Sequence, residues 1–148
     1  MKITDIEVIP IAPKLAARYA TRRVDLSGID FRVVYKVHTD AGVTGYGDVR
    51  MRPWANPSRD DLAHLIGKSP FDYINDNRNL GGTGLLCALY DAMGTLDLPV
   101  HKLLGQKKRD AIPVAAWTRP CAPKIFRAEI QRAAKEGYSV FKIHTRFS

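Results

Sequence analysis

The chain has 148 residues, 45% of them hydrophobic and 26% charged, a balance that excludes a disordered or low-complexity protein. Two cysteines in that length exclude a disulfide scaffold. The net charge of +8 is unevenly placed: residues 1–101 carry 12 basic and 12 acidic side chains, and residues 102–148 carry 11 basic and 3 acidic. Such an excess implies either a patch for a polyanion or an acidic counterpart outside these residues.

The first residues, Met1 to Glu7, contain two acids and no 7–15-residue apolar run, so a signal peptide is not expected. No run approaches 18 apolar residues, so no membrane span is expected, and the expected location is the cytoplasm. Cys87 lies in an apolar helical run and Cys121 in a Pro-rich loop. Both read as structural thiols, and neither has zinc-ligand spacing to another Cys or His.

Ile3, Ile6, Val8, Ile9 and Ile11 form a β-rich segment punctuated by Pro10 and Pro13, which reads as an edge strand. Residues 14–29 are polar and basic and read as a long loop. From Phe31 to Thr39, apolar Phe31, Val33, Tyr35 and Val37 alternate with Arg32, Val34, Lys36 and His38, a strand period. Asp40-Ala41-Gly42 supplies a turn and Val43 to Val49 the hairpin partner. These three strands predict an antiparallel meander.

Residues 50–57 read as a second loop, with Arg50, Arg52 and Trp54. Asn56 or Ser58 is placed to cap a helix carrying Leu62, Leu65 and Ile66, with Asp60 and Asp61 in its first turn and Gly67 at its end. A short helix is predicted from Phe71 to Ile74. Gly81 to Gly84 then opens the strongest helix, with Leu85, Leu86, Leu89, Met93 and Leu96 at helical spacing and Pro99 as its stop. No Gly-Lys-Ser/Thr follows those glycines, which therefore read as a helix start rather than a phosphate loop.

Val100 to Leu104 predicts a helical turn, and Lys107-Lys108-Arg109 a solvated loop. Beyond it the pattern becomes strand (Ile112 to Trp117), helix (from Pro123, with Phe126, Ile130, Ala133 and Ala134 as its buried stripe) and strand (Tyr138 to His144). Strand, helix and strand in this span predict a βαβ unit with parallel strands. Parallel strands are normally buried on both faces, which one βαβ unit cannot achieve. The expected architecture is an α+β domain over residues 1–110, with a three-stranded antiparallel meander plus helices. Residues 111–148 then begin a truncated, incomplete α/β domain.

The run Ala88-Leu89-Tyr90-Asp91-Ala92-Met93-Gly94, followed by Leu98-Pro99-Val100-His101-Lys102-Leu103-Leu104-Gly105, resembles the helix-to-Pro-Val-x-x-Leu-Leu-Gly stretch of the enolase superfamily, closest to its mandelate racemase and muconate lactonizing branch. Thr39 to Gly47 resembles that branch's Thr-Asp-x-Gly-x-x-Gly-x-Gly hairpin. Ile112 to Ala116 and Gly137 to His144 resemble the segments of its first two barrel strands.

The resemblance implies that residues 1–110 are an enolase-like amino-terminal capping domain and residues 111–148 the first βαβ portion of a (β/α) barrel. It implies Mg²⁺-assisted removal of the proton α to a carboxylate, leading to racemisation, dehydration or cycloisomerisation of a small carboxylate or acid-sugar substrate. It also implies a homo-oligomer. The family's second barrel strand often ends in Lys-x-Lys with the second lysine as base. Here the residues are Lys142-Ile143-His144, and Lys142 and His144 share one strand face. The resemblance makes Lys142 a cation near the carboxylate and His144 a base or a contact to a substrate hydroxyl. The departure at His144 leaves a lyase as open as a racemase.

The loops at 14–29 and 50–57 align with the family's capping loops, so Tyr19, Arg22, Arg50, Arg52 and Trp54 are candidate substrate contacts. The family's Mg²⁺ ligands are acids at the ends of later barrel strands. No metal ligand is therefore assigned in this chain, which by itself is expected to be inactive. The alternative is a non-catalytic basic module that binds nucleic acid or an acidic protein. No nucleic-acid motif and no interleaved aromatics support the nucleic-acid version.

Overall fold

The computed structural model of the protein describes residues 1–13, 31–50, 57–74, 76, 82–96, 99–118 and 121–143. These fall into two compact units. One comprises Met1–Pro13 and Phe31–Lys108, and the other includes the described residues from Arg109 onward.

In the first unit, strands β1 (Ile3–Ile11), β2 (Arg32–Thr39) and β3 (Thr44–Arg50) form an antiparallel sheet in the order β1-β2-β3. β1 is an edge strand, as its prolines predict. The alternation in β2 sends Val33, Tyr35, Val37 and Thr39 into the interior and leaves Arg32, Val34, Lys36 and His38 half-buried on the other face. Phe31, expected on the inner face, precedes the strand and is exposed. The turn closes with Gly42 at φ 72°, a conformation that glycine adopts without strain.

The expected helix after Ser58 is a 3₁₀ helix, Asp60–Leu65, with Leu62 and Leu65 buried. The Ser58 hydroxyl accepts from the Asp61 N–H at 3.2 Å and donates to the Asp61 carboxylate at 2.7 Å. The donation from the hydroxyl, joined by the Ser58 N–H, which donates to the same carboxylate at 2.7 Å, holds the Asp61 carboxyl below its ordinary range. A second 3₁₀ helix, Pro70–Tyr73, starts at a capping box made by Ser69 and Asp72.

Helix α1 (Thr83–Gly94) buries Leu85, Ala88, Leu89, Ala92 and Met93 against the sheet. It ends at Gly94 rather than running to Pro99, and Leu96 beyond it is exposed. Cys87 is exposed on this helix, not within its apolar stripe. The close fit of helix to strand comes from glycine. A Cβ at Gly45 would collide with the Ala88 carbonyl and Ala92, and one at Gly47 with the Gly84 carbonyl and Ala88. A short helix α2 (Val100–Leu104) follows Pro99.

The second unit holds β4 (Ala116–Thr118), helix α3 (Pro123–Lys135) and β5 (Phe141–Ile143). β4 and β5 pair in parallel, as the βαβ pattern predicts. The first of these strands is shorter than the apolar run suggests. Residues 111–115 lie outside it, with Ile112 76% and Val114 70% exposed. A strand flank with nothing packed over it gains nothing from its apolar side chains, so the run alone does not set the strand boundary. In α3 the stripe is only partly realised: Ala133 is buried, Phe126 and Ile130 are half-buried, and Ala134 is exposed.

Candidate functional site

The candidate cation Lys142 sits in the middle of β5, in register with Trp117 of β4. Strand alternation puts Lys142 and Trp117 on one face and Ala116, Thr118, Phe141 and Ile143 on the other. Trp117 and Lys142 are exposed, while Ala116, Thr118 and Phe141 are half-buried. Polar Lys142 thus alternates with apolar neighbours, as the sequence suggests, and an indole stands beside it. Trp117 has no place in the sequence expectation. Only the parallel register, which couples positions 25 residues apart, brings it to Lys142.

Both residues line a pocket within this unit, together with Glu129, Arg132 and Glu136 of α3. Arg132 donates to Glu129 at 3.2 Å and also to Glu136, so both acids of the helix are already paired with a cation. Among the described residues there is no group of three or more His, Cys, Asp or Glu side chains placed to hold a metal ion. This donor set does not fit Mg²⁺.

Of the other candidates, Arg50 is the last residue of β3 and is exposed, paired across the sheet with Arg32. It therefore ends a strand rather than opening a loop. Tyr19, Arg22, Arg52, Trp54 and His144 lie outside the described residues. No helix among the described residues is long and apolar enough to cross a membrane.

Sequence reasoning missed a polar cluster on the half-buried face of the meander. The His38 ring meets Glu7 at 2.6 Å through Nε2 and Thr44 at 3.1 Å through Nδ1, and Lys36 lies 3.8 Å from Glu7. The hydrogen bond from His38 is the main reason the Glu7 carboxyl lies below its ordinary range. Glu7 and His38 are 31 residues apart, so no local signal announces the pair.

No family model matches the chain. The comparisons with individual proteins are informative. A cis-3-hydroxy-L-proline dehydratase from Roseibium aggregatum is 27% identical over 164 residues, covering 97% of this chain and 45% of that protein. A D-galactonate dehydratase from Variovorax paradoxus is 28% identical, covering 97% of this chain and 38% of that protein. The crystal structure of a mandelate racemase/muconate lactonizing family protein from Azoarcus sp. EbN1 superposes with a TM-score of 0.69 at 24% identity, covering 100% of this chain and 42% of that one.

The chain has the fold of the amino-terminal part of that mandelate racemase/muconate lactonizing family protein, and its sequence is similar to the two dehydratases along nearly its whole length. The three-stranded meander with its helices corresponds to the capping domain, and the parallel β4–β5 pair to the beginning of the barrel. The chain spans less than half the length of the curated relatives it matches.

Proposed function

We propose that this chain supplies the capping domain and the first barrel strands of an acid dehydratase or racemase whose reaction begins by removing the proton α to a carboxylate. The observation that carries this reading is the similarity to two dehydratases along 97% of the chain, combined with a parallel β4–β5 pair that presents Lys142 and Trp117 together. The border between cap and barrel is placed near residue 110. The substrate class is a small hydroxy acid or acid sugar, like the hydroxyproline and galactonate in the relatives' names.

The chemistry follows from what the proton requires. A hydrogen α to a carboxylate is only weakly acidic, so the oxyanion that forms as it leaves needs nearby positive charge. Lys142 is a cation on a strand, where its position is better fixed than on a loop. Its role is to hold a carboxylate oxygen, with Trp117 as an apolar wall beside it. His144, two residues on in the sequence, is the proposed base or hydroxyl contact, because an imidazole side chain ordinarily titrates near neutrality. Tyr19, Arg22, Arg50, Arg52 and Trp54 are proposed to shape the mouth of the site. When bound, Mg²⁺ would stabilise the enediolate, as the family resemblance implies. The described residues offer it no donor set, so the proposed part of this chain is to bind and orient the carboxylate.

Two measurements test this reading. Titrating the isotope-labelled chain with D-galactonate and with cis-3-hydroxy-L-proline is expected to move amide signals of β4 and β5, with Lys142→Gln abolishing the shifts. Incubating the same chain with either acid in heavy water and Mg²⁺ is expected to leave the α-proton unexchanged. Shifts that persist in Lys142→Gln sink the assignment of that residue. Exchange by this chain sinks the division of labour.

A further inference from the structure

Part of the charge excess of residues 102–148 lies along one face of α3. At 100° per residue, Lys124, Arg127, Gln131 and Lys135 fall within an arc of about 80°, and they extend along roughly 16 Å of the helix. All four are exposed. The two acids of this unit's helix cannot neutralise them, because Glu129 and Glu136 are both held by Arg132. Among the described residues, Lys124, Arg127 and Lys135 have no ion-pair partner. The stripe is flanked by Ala128 and Ala134, both exposed and both small enough to let another backbone come close.

We propose that this face of α3 docks against an acidic helix of a second protein chain. A contact that tracks a single-stranded nucleic acid would call for interleaved aromatic side chains on which bases stack, and the stripe contains none. An acidic helix suits it better. Carboxylates at the same three- and four-residue steps would meet Lys124, Arg127 and Lys135 in register, and the flanking alanines remove the steric barrier to helix-on-helix approach. Exposed pairs of this kind contribute more to orientation and to the rate of encounter than to affinity, and they weaken as salt screens them. The contact is therefore expected to be modest in strength and strongly salt-dependent. It goes beyond the dehydratase reading and does not rely on it.

The probe is a fluorescent Ala-rich helical peptide with glutamates at four positions matching the stripe's spacing, compared with the same peptide carrying glutamines and with a short DNA duplex. Binding to the full 148-residue chain is followed by anisotropy at several salt concentrations. The expected result is saturable binding of the glutamate peptide, no binding of the glutamine peptide, and a loss of affinity as salt rises. The triple variant Lys124→Glu/Arg127→Glu/Lys135→Glu is expected to weaken binding by about tenfold or more. The milder triple Gln variant guards against misfolding, and Lys102→Glu, outside the stripe, is expected to leave binding unchanged. Three results would overturn the proposal: tighter binding of the duplex than of the peptide, equal binding by the Gln variant, or equal loss in Lys102→Glu.

Discussion

Glu7 and His38 meet on the outer face of the meander, and their contact is the clearest electrostatic tie between β1 and β2. Thr44 extends it to β3 through the other ring nitrogen. Because the hydrogen bond from His38 lowers the folded-state pKa of Glu7, with Lys36 adding to the effect, the folded chain holds this carboxylate ionised at a pH where the unfolded chain has begun to protonate it. A depressed carboxyl pKa contributes stability that is present above the unfolded value and is lost as pH falls through the folded one. We therefore expect urea unfolding of the first unit to become easier as pH drops below about 4.5, with a shallower decline in Glu7→Gln. An identical decline in that variant would show that other carboxylates carry the acid sensitivity. At this scale the sequence was only half legible. The strand period showed which face of β2 His38 occupies. The acid that it reaches depends on the pairing register of two strands far apart in sequence, and composition carries no sign of that register.

The decisive contact between elements is α1 on β3. Gly45 and Gly47 read in sequence as parts of a hairpin, and they do lie in one. Their lack of side chains, however, serves the helix, whose backbone occupies the space a Cβ would need. The approach also lets Asp91 accept the Tyr46 N–H at 2.8 Å, which satisfies a donor on an edge strand that would otherwise face outward. Gly45→Ala and Gly47→Ala should each destabilise the first unit by roughly 1–3 kcal/mol in urea melts, because the obstructing atoms are backbone and cannot swing aside. Gly42 is a useful contrast: its Cβ would meet nothing within 4 Å, so Gly42→Ala carries only the cost of a positive φ, about 1 kcal/mol. Equal losses at all three positions would mean that turn conformation, not helix proximity, is what the glycines provide. Element types were readable wherever one face is buried, as in β2 and α1. They were less readable in residues 111–115, where apolar side chains lie exposed and no packing enforces the strand.

At the scale of the whole chain, the uneven charge separates two different situations. The first unit is balanced and has its own core, in which the Tyr35 phenol is desolvated and its pKa lies above the ordinary tyrosine value. The second has an excess of cations, a two-stranded parallel sheet and several exposed apolar residues. Its helix acids are committed to Arg132, and no described cluster of donors can take a divalent ion. This has a thermodynamic consequence that needs no substrate. A ligand that binds only the folded state at a hundredfold excess over its dissociation constant adds about 2.7 kcal/mol of stability. In a protein of this size that would raise the melting temperature by roughly 5–10 °C. We expect about 10 mM Mg²⁺ to leave the thermal unfolding of this chain unchanged once ionic strength is matched with a monovalent salt, since a site of 0.1 mM affinity would give that shift. A rise specific to Mg²⁺, removed by chelation, would reveal a donor set that the described residues do not contain.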